Sequence, residues 1–326
     1  GCSSLTSITI PDGVTSIGNG AFADCTSLSS VICEGNAPTF GTISPSNVFR
    51  NCESATIYYD SNYSGWSNTV ARRPAVRTNT LNFRQTNTSS GYILSDCLTT
   101  ASGSLEIPSI YNGLPVTSIG EEAFIGTDLT SISIPNSVTS IGSFAFRDCT
   151  RLTDITIPES MTSIEEGTFY SCTNLASITI PDSVTSIGNS AFNGCSSLTS
   201  ITIPDGVTSI GSSAFSGCSN LTSINIPDVV TLIRDRAFNG CSSLTSITIP
   251  DGVTSIGNSA FFGCSSLTSI TIPDGVTSIG NGAFFGCSNV TSINIPDVVT
   301  LIGESVFNGC SSLTSITIPD RVTSIG

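Results

Sequence analysis

Residues 244–266 read LTSITIPDGVTSIGNSAFFGCSS, and the phrase recurs almost letter for letter along most of the chain. Pro stands at 135, 158, 181, 204, 227, 250, 273, 296 and 319, always 23 residues apart. Phe keeps the same beat at 146, 169, 192, 215, 238, 261, 284 and 307, and Cys keeps it from 149 to 310. A fixed period in this range is the mark of a solenoid, in which each unit buries its apolar face only by stacking on its neighbours.

One unit shows the physics. Leu198, Ile201 and Ile203 alternate inward from a short Thr- and Ile-rich strand. Pro204 cannot donate to a ladder and ends it, and Asp205-Gly206 supplies turn chemistry. Val207 and Ile210 form a second, shorter extended stretch that Gly211 breaks. Ser213-Ala214-Phe215 reads as a short helical or 3₁₀ turn that drops the ring inside, and Cys218 closes the layer.

Composition narrows the chemistry. The 326 residues carry a net charge of −14, with no His, and all 10 basic residues are Arg. Imidazole bases, Schiff-base lysines and the phosphate lysine of nucleotide loops are therefore missing. The acidic balance argues against nucleic acid and anionic membranes. Mean hydropathy is +0.27, yet polar residues or Pro interrupt every apolar run far short of a spanning segment.

The pattern L-x-x-I-x-I-P-x-x-V-x-x-I-x-x-x-A-F-x-x-C resembles the BspA-like (Treponema pallidum-type) leucine-rich repeats, over nearly the whole chain. That resemblance implies a right-handed solenoid with parallel strands on the concave side. It also implies an extracellular or cell-surface protein, often linked to adhesion or host-protein binding.

The repeat also fails in informative places. Residues 1–32 read as the last repeats of a first array. Residues 33–78 hold the only Trp and, in Tyr58, Tyr59 and Tyr63, half of the Tyr residues; they look like a C-terminal closing segment. Residues 79–104 look like the opening hairpin of a second array, which occupies 105–326 and is still repeating at its end. The spacing from Pro108 to Pro135 is four residues longer than the 23-residue period, and that from Phe124 to Phe146 is one shorter, at the place where Cys would stand. The phrase SNLTSINIPDVVTLI at 219–233 returns as SNVTSINIPDVVTLI at 288–302, three units on, as a block duplication would leave it. Lacking a Met start, signal peptide or terminal anchor, the chain reads as an internal piece of a longer protein.

Several columns invite functional readings. The Cys column reads as a buried, reduced ladder of small hydrophobes. A disulfide zipper is the alternative, and no C-x-x-C spacing favours zinc. Cys33, Cys52 and Cys97 fall outside the register, with a Cys33–Cys52 bridge open. Asp182, Asp205, Asp228, Asp251, Asp274, Asp297 and Asp320 follow Pro as solvated turn residues, with calcium between coils as the competing reading. The outward strand column is Thr156, Thr179, Thr202, Asn225, Thr248, Thr271, Asn294 and Thr317. It is either plain solvent-facing strand or the floor of a concave binding surface; ordered water for ice binding is a remote third.

Catalysis finds little support. The carboxylate pairs Glu121-Glu122 and Glu165-Glu166 are turn neighbours that point apart, and Ser has no base. Tyr58, Tyr59, Tyr63 and Trp66 read as end-capping, with sugar stacking as the alternative. Sequons at Asn62, Asn87, Asn220 and Asn289 bear only on a secretory eukaryotic source. The expectation is a monomeric, non-enzymatic surface scaffold that binds a protein or glycan through Thr156 to Thr317 of the outward column. It takes no cofactor or metal, binds no nucleic acid and inserts in no membrane; a spacer or stalk without specific ligand is the alternative.

Overall fold

A computed structural model describes residues 1–33, 35–40, 48–59, 69–70, 73–77, 81–87, 90–97, 99 and 101–326. The chain divides into two compact units, residues 1–98 with 105–117, and residues 99–104 with 118–326.

In the second unit each 23-residue rung contributes two short strands to two parallel ladders. In the first ladder Ser223, Ile224 and Asn225 stand opposite Ser246, Ile247 and Thr248. In the second ladder Ser255-Ile256 pairs with Ser278-Ile279. Between them the inward motif residues are buried in all but the last rungs: Leu198, Val207, Ala214, Phe215 and Cys218 are fully enclosed, and Ile201, Ile203 and Ile210 nearly so. The Phe rings form a continuous stack with centroids 5.1–6.3 Å apart and planes within 14°.

The abundance of Thr and Ser has a structural cause. At the entry to the first strand, Thr222 Oγ1 donates to the Thr199 carbonyl and Thr245 Oγ1 to the Thr222 carbonyl, each at 3.2 Å. Another column runs Ser242 to Ser219 and Ser265 to Ser242. Each hydroxyl binds one rung to the last at a corner where the strand ladder has not begun.

The turn holding Phe215 differs from the helical or 3₁₀ turn expected. It is a run of hydrogen-bonded turns, with Ala214 N–H donating to Gly211 O and Ser216 N–H to Ser213 O. Ser213 has φ of 57°, a left-handed conformation that ends right-handed helix after one turn. The backbone then bonds sideways, Phe192 N–H donating to Ala214 O of the next rung at 2.8 Å.

Gly211 and its equivalents do more than break the strand. A Cβ on Gly257 would lie 2.5 Å from Asp235 N and 2.7 Å from Arg234 C. Only glycine lets this column approach close enough for Gly257 N–H to reach Ile233 O at 2.8 Å. Where Glu165 and Arg234 replace that glycine, the second ladder is interrupted: strand 163–164 does not pair with 140–141, nor 232–233 with 209–210.

In the first unit, strands 7–10, 30–33, 56–59 and 73–77 form a parallel run, closed by 69–70 pairing antiparallel to 73–77. Phe22 stacks on Phe49 at 5.5 Å, and the Cys52 thiol donates to Phe22 O at 2.8 Å. Cys52 therefore lies in the Cys register, contrary to the reading that put it outside, and Val48 to Tyr59 complete a rung lengthened by an insertion. Strand 92–97 pairs antiparallel with 81–85, forming a hairpin.

Candidate functional site: the outward strand face

Strand alternation sends Ile201, Ile224, Ile247 and Ile270 inward and their neighbours outward. Thr156, Thr179, Thr202, Asn225, Thr248, Thr271, Asn294 and Thr317 are all exposed. Pairing brings them into one line: Thr179 bridges Thr202, Asn225 lies opposite Thr248, and Asn294 opposite both Thr271 and Thr317. The serines two residues earlier, such as Ser200, Ser223 and Ser246, are also exposed. The face is thus two hydroxyl or amide columns wide.

Sequence reading treated the Asp column as separate. The structure sets it beside this face: one shallow crevice is lined by Asp228, Thr248, Pro250 and Asp251, and the next by Asp251, Thr271, Pro273 and Asp274. Each of the seven aspartates is exposed. A third crevice lies between Asp154, Thr156, Glu159, Ser177 and Thr179. The face therefore offers neutral hydroxyls along its floor and carboxylates along one edge.

The Cys column faces the other way. Each thiol donates to the Phe carbonyl of the preceding rung, as Cys195 to Phe169 and Cys218 to Phe192, both at 3.2 Å. Burial pushes the thiols of Cys172, Cys195, Cys218, Cys241 and Cys264 well above the usual range, and Cys287 up to about 12. No disulfide joins any of the thirteen cysteines, and only Cys2 is exposed. This is a packing column, and the Cys33–Cys52 bridge does not form. At the short rung, Thr127 takes the Cys place, buried with its hydroxyl 3.4 Å from Cys149 Sγ. The missing residue falls after that position, not on it.

The remaining chemistry is sparse. Glu121, Glu122, Glu165 and Glu166 are exposed in turns, and Ser163 donates to Glu165. Among the described residues no group of three or more His, Cys, Asp or Glu is placed to hold a metal ion. No helix there is long and apolar enough to cross a membrane.

In the first unit Thr9 is exposed, but at strands 30–33 and 56–59 the same face is closed. Ser30 and Thr56 are buried at 2%, Ile32 at 9% and Tyr58 at 1% exposure, all at outward positions. Thr56 Oγ1 donates to Glu106 Oε2 at 2.7 Å, and Tyr58 OH to Glu106 O at 3.2 Å. Burial, then the Glu106 charge, raises the Tyr58 hydroxyl far above its ordinary value. Tyr59 is buried too, so neither tyrosine is available to stack on a sugar. Tyr63 and Trp66 lie outside the described residues. The signal for this closure was present in SVIC and TIYY, which lack the polar alternation of a one-sided strand.

Known proteins agree with this architecture. The family model for the BspA type leucine rich repeat region matches six copies over residues 1–102, 117–245 and 231–326. A T. pallidum leucine rich repeat protein is 33% identical, with 59% of this chain and 89% of that one covered at a TM-score of 0.55. A Bacteroides ovatus leucine-rich repeat protein is 30% identical over 74% of this chain and 82% of its own, at 0.48. One from Eubacterium ventriosum, 21% identical with 98% and 86% covered, shares the fold at 0.51. No curated protein matches. The rung, its buried Phe and Cys columns and its paired ladders place this chain in the BspA type leucine rich repeat family.

Proposed function

We propose that the outward strand face of the second unit binds a protein or glycan outside the cell or at its surface, without catalysis. One observation carries the reading: Thr156 to Thr317 are all exposed at the same position of successive rungs, and pairing sets Thr179 beside Thr202, Asn225 beside Thr248, and Asn294 between Thr271 and Thr317. Curvature supports it. Phe centroids stand 5.4–5.8 Å apart from Phe146 to Phe284, against about 4.8 Å for hydrogen-bonded strands, so the strand side is the concave one. The extracellular setting rests on the family resemblance. The organisation that fits it is two arrays, the first ending within 33–78 and the second opening at 79–104. Near-uniform Thr and Asn along the face favour a second reading, a spacer without specific ligand.

Near-identical rungs present near-identical contacts, so affinity arises from many weak ones. The test is surface binding to host-matrix proteins and glycans. Replacing Thr202, Thr248 and Thr271 together by Glu weakens binding by about a hundredfold, whereas Thr248→Glu alone costs about fivefold. Replacing Asp205, Asp251 and Asp274 by Asn changes it less than about threefold. Loss in the Asp variant with retention in the Thr variant overturns the assignment. If no ligand in the panel binds wild type, the spacer reading stands.

A further inference from the structure

The second ladder carries a feature that the binding face does not use. Strands 232–233, 255–256, 278–279, 301–302 and 324–325 form one continuous parallel sheet. Down its outward column the residues are Leu232, Ser255, Ser278, Leu301 and Ser324, paired in register. The two central serines hydrogen-bond to each other at 3.1 Å. Three residues before the leucines, Val229 and Val298 stand where neighbouring rungs have Gly206, Gly252 and Gly275. These four apolar side chains are 37–51% exposed. They form two apolar patches three rungs apart, about 14 Å on a strand spacing of about 4.8 Å.

From Leu232 to Leu301 the order apolar, polar, polar, apolar is the same read from either end. We propose that this face is a two-fold interface with a second copy of the chain, its axis passing between Ser255 and Ser278. The axis sets Leu232 and Val229 of one copy on Leu301 and Val298 of the other, and the reverse, so every contact occurs twice. Charge argues for the same pairing. Beside the first patch stands Arg234-Asp235-Arg236, and at the matching place beside the second stands Gly303-Glu304-Ser305. Arg234, Asp235, Arg236 and Glu304 are all exposed, so the first segment carries a net charge of one positive and the second of one negative. The axis that joins the leucines sets the net positive Arg234-Asp235-Arg236 segment against the net negative segment holding Glu304 of the second copy, while a parallel arrangement would set like net charge against like. Such complementarity selects orientation and partner. The expectation of a monomer rested on net charge, which resists association in general but does not act against a locally matched face.

Sedimentation equilibrium of the full chain at about 0.15 M salt, with concentration up to about 1 mM, tests this. Wild type is expected to pass reversibly from 33.6 kDa to twice that mass. Leu301→Ser restores the residue that neighbouring rungs carry, so the fold is kept, and a matching denaturation midpoint verifies it. It should raise the dissociation constant about a hundredfold, because the lost contact is duplicated. Glu304→Arg should raise it about tenfold, and adding Arg234→Glu and Arg236→Glu should return it to within about threefold of wild type. A monomer throughout, an open-ended series of oligomers, or a dimer indifferent to Leu301→Ser overturns the proposal. None of these outcomes bears on the Thr and Asn face.

Discussion

Strand 56–59 of the first unit and strand 246–248 of the second are built alike, a β-branched inward residue flanked by outward neighbours. Ile57 and Ile247 both point into a core. Yet Thr56 and Tyr58 are enclosed and bonded to Glu106, whereas Ser246 and Thr248 are open to solvent. A rung thus specifies which side chains face out, but its surroundings decide whether that face is available. At strands 30–33 and 56–59 of the first unit the outward side is buried as well; in the second unit it remains a surface. The binding role proposed for outward residues therefore rests on the second unit.

The largest effect that separates the two regions is alkaline. Thiols of the second unit are held protonated by burial, while an unfolded thiol titrates near 9.0. Below pH 9 both states are protonated and stability is unaffected. Above it the unfolded chain loses protons that the folded one keeps, so stability falls as pH rises from about 9 toward 12. At pH 10 this is about 1 kcal/mol per buried thiol, several kcal/mol over the column. Urea midpoints followed by hydrogen exchange should drop more steeply in the second unit than in the first. Equal slopes would mean the column is not sealed.

Tyr58→Ala should destabilise the first unit by about 3–5 kcal/mol, while Thr248→Ala changes the second by no more than about 0.5 kcal/mol. Comparable losses in urea titrations would erase the distinction between closed and open faces. Within the second unit, Gly257→Ala forces a Cβ into the Arg234–Asp235 backbone and should cost about 1–3 kcal/mol. A midpoint unchanged from wild type would show that the rungs do not approach this closely. Arg234→Gly works in the opposite sense. It removes the side chain at the ladder break, and should slow amide exchange at position 234 with a gain of about 0.5 kcal/mol.

Much of this was legible in the sequence because the period is nearly invariant. Pro, Phe and Cys at 23-residue steps placed Leu198, Ile201, Phe215 and Cys218 inside and Thr202 outside, all as observed. What escaped were relations between rungs. Phe49 and Cys52 sit 27 residues after Phe22 and Cys25, so an insertion hid their register until the rings were seen to stack. Glu106 lies 50 residues from Thr56, and no local pattern announces that contact. Thr127 stands for Cys because the site asks for a small buried group with a polar atom near the next rung's thiol, a requirement of space more than of residue type. The glycine column looked like punctuation, although its constraint comes from the backbone 23 residues earlier.

The contrast between closed and open faces is tested most directly by thiol labelling of two single variants, with sites located by mass spectrometry. The native cysteines other than Cys2 are buried and give a silent background. In the folded protein, Thr248→Cys should react as fast as Cys2, and Thr56→Cys should react only after unfolding. Equal labelling of the two introduced thiols, or protection at position 248 in the folded chain, would contradict the account.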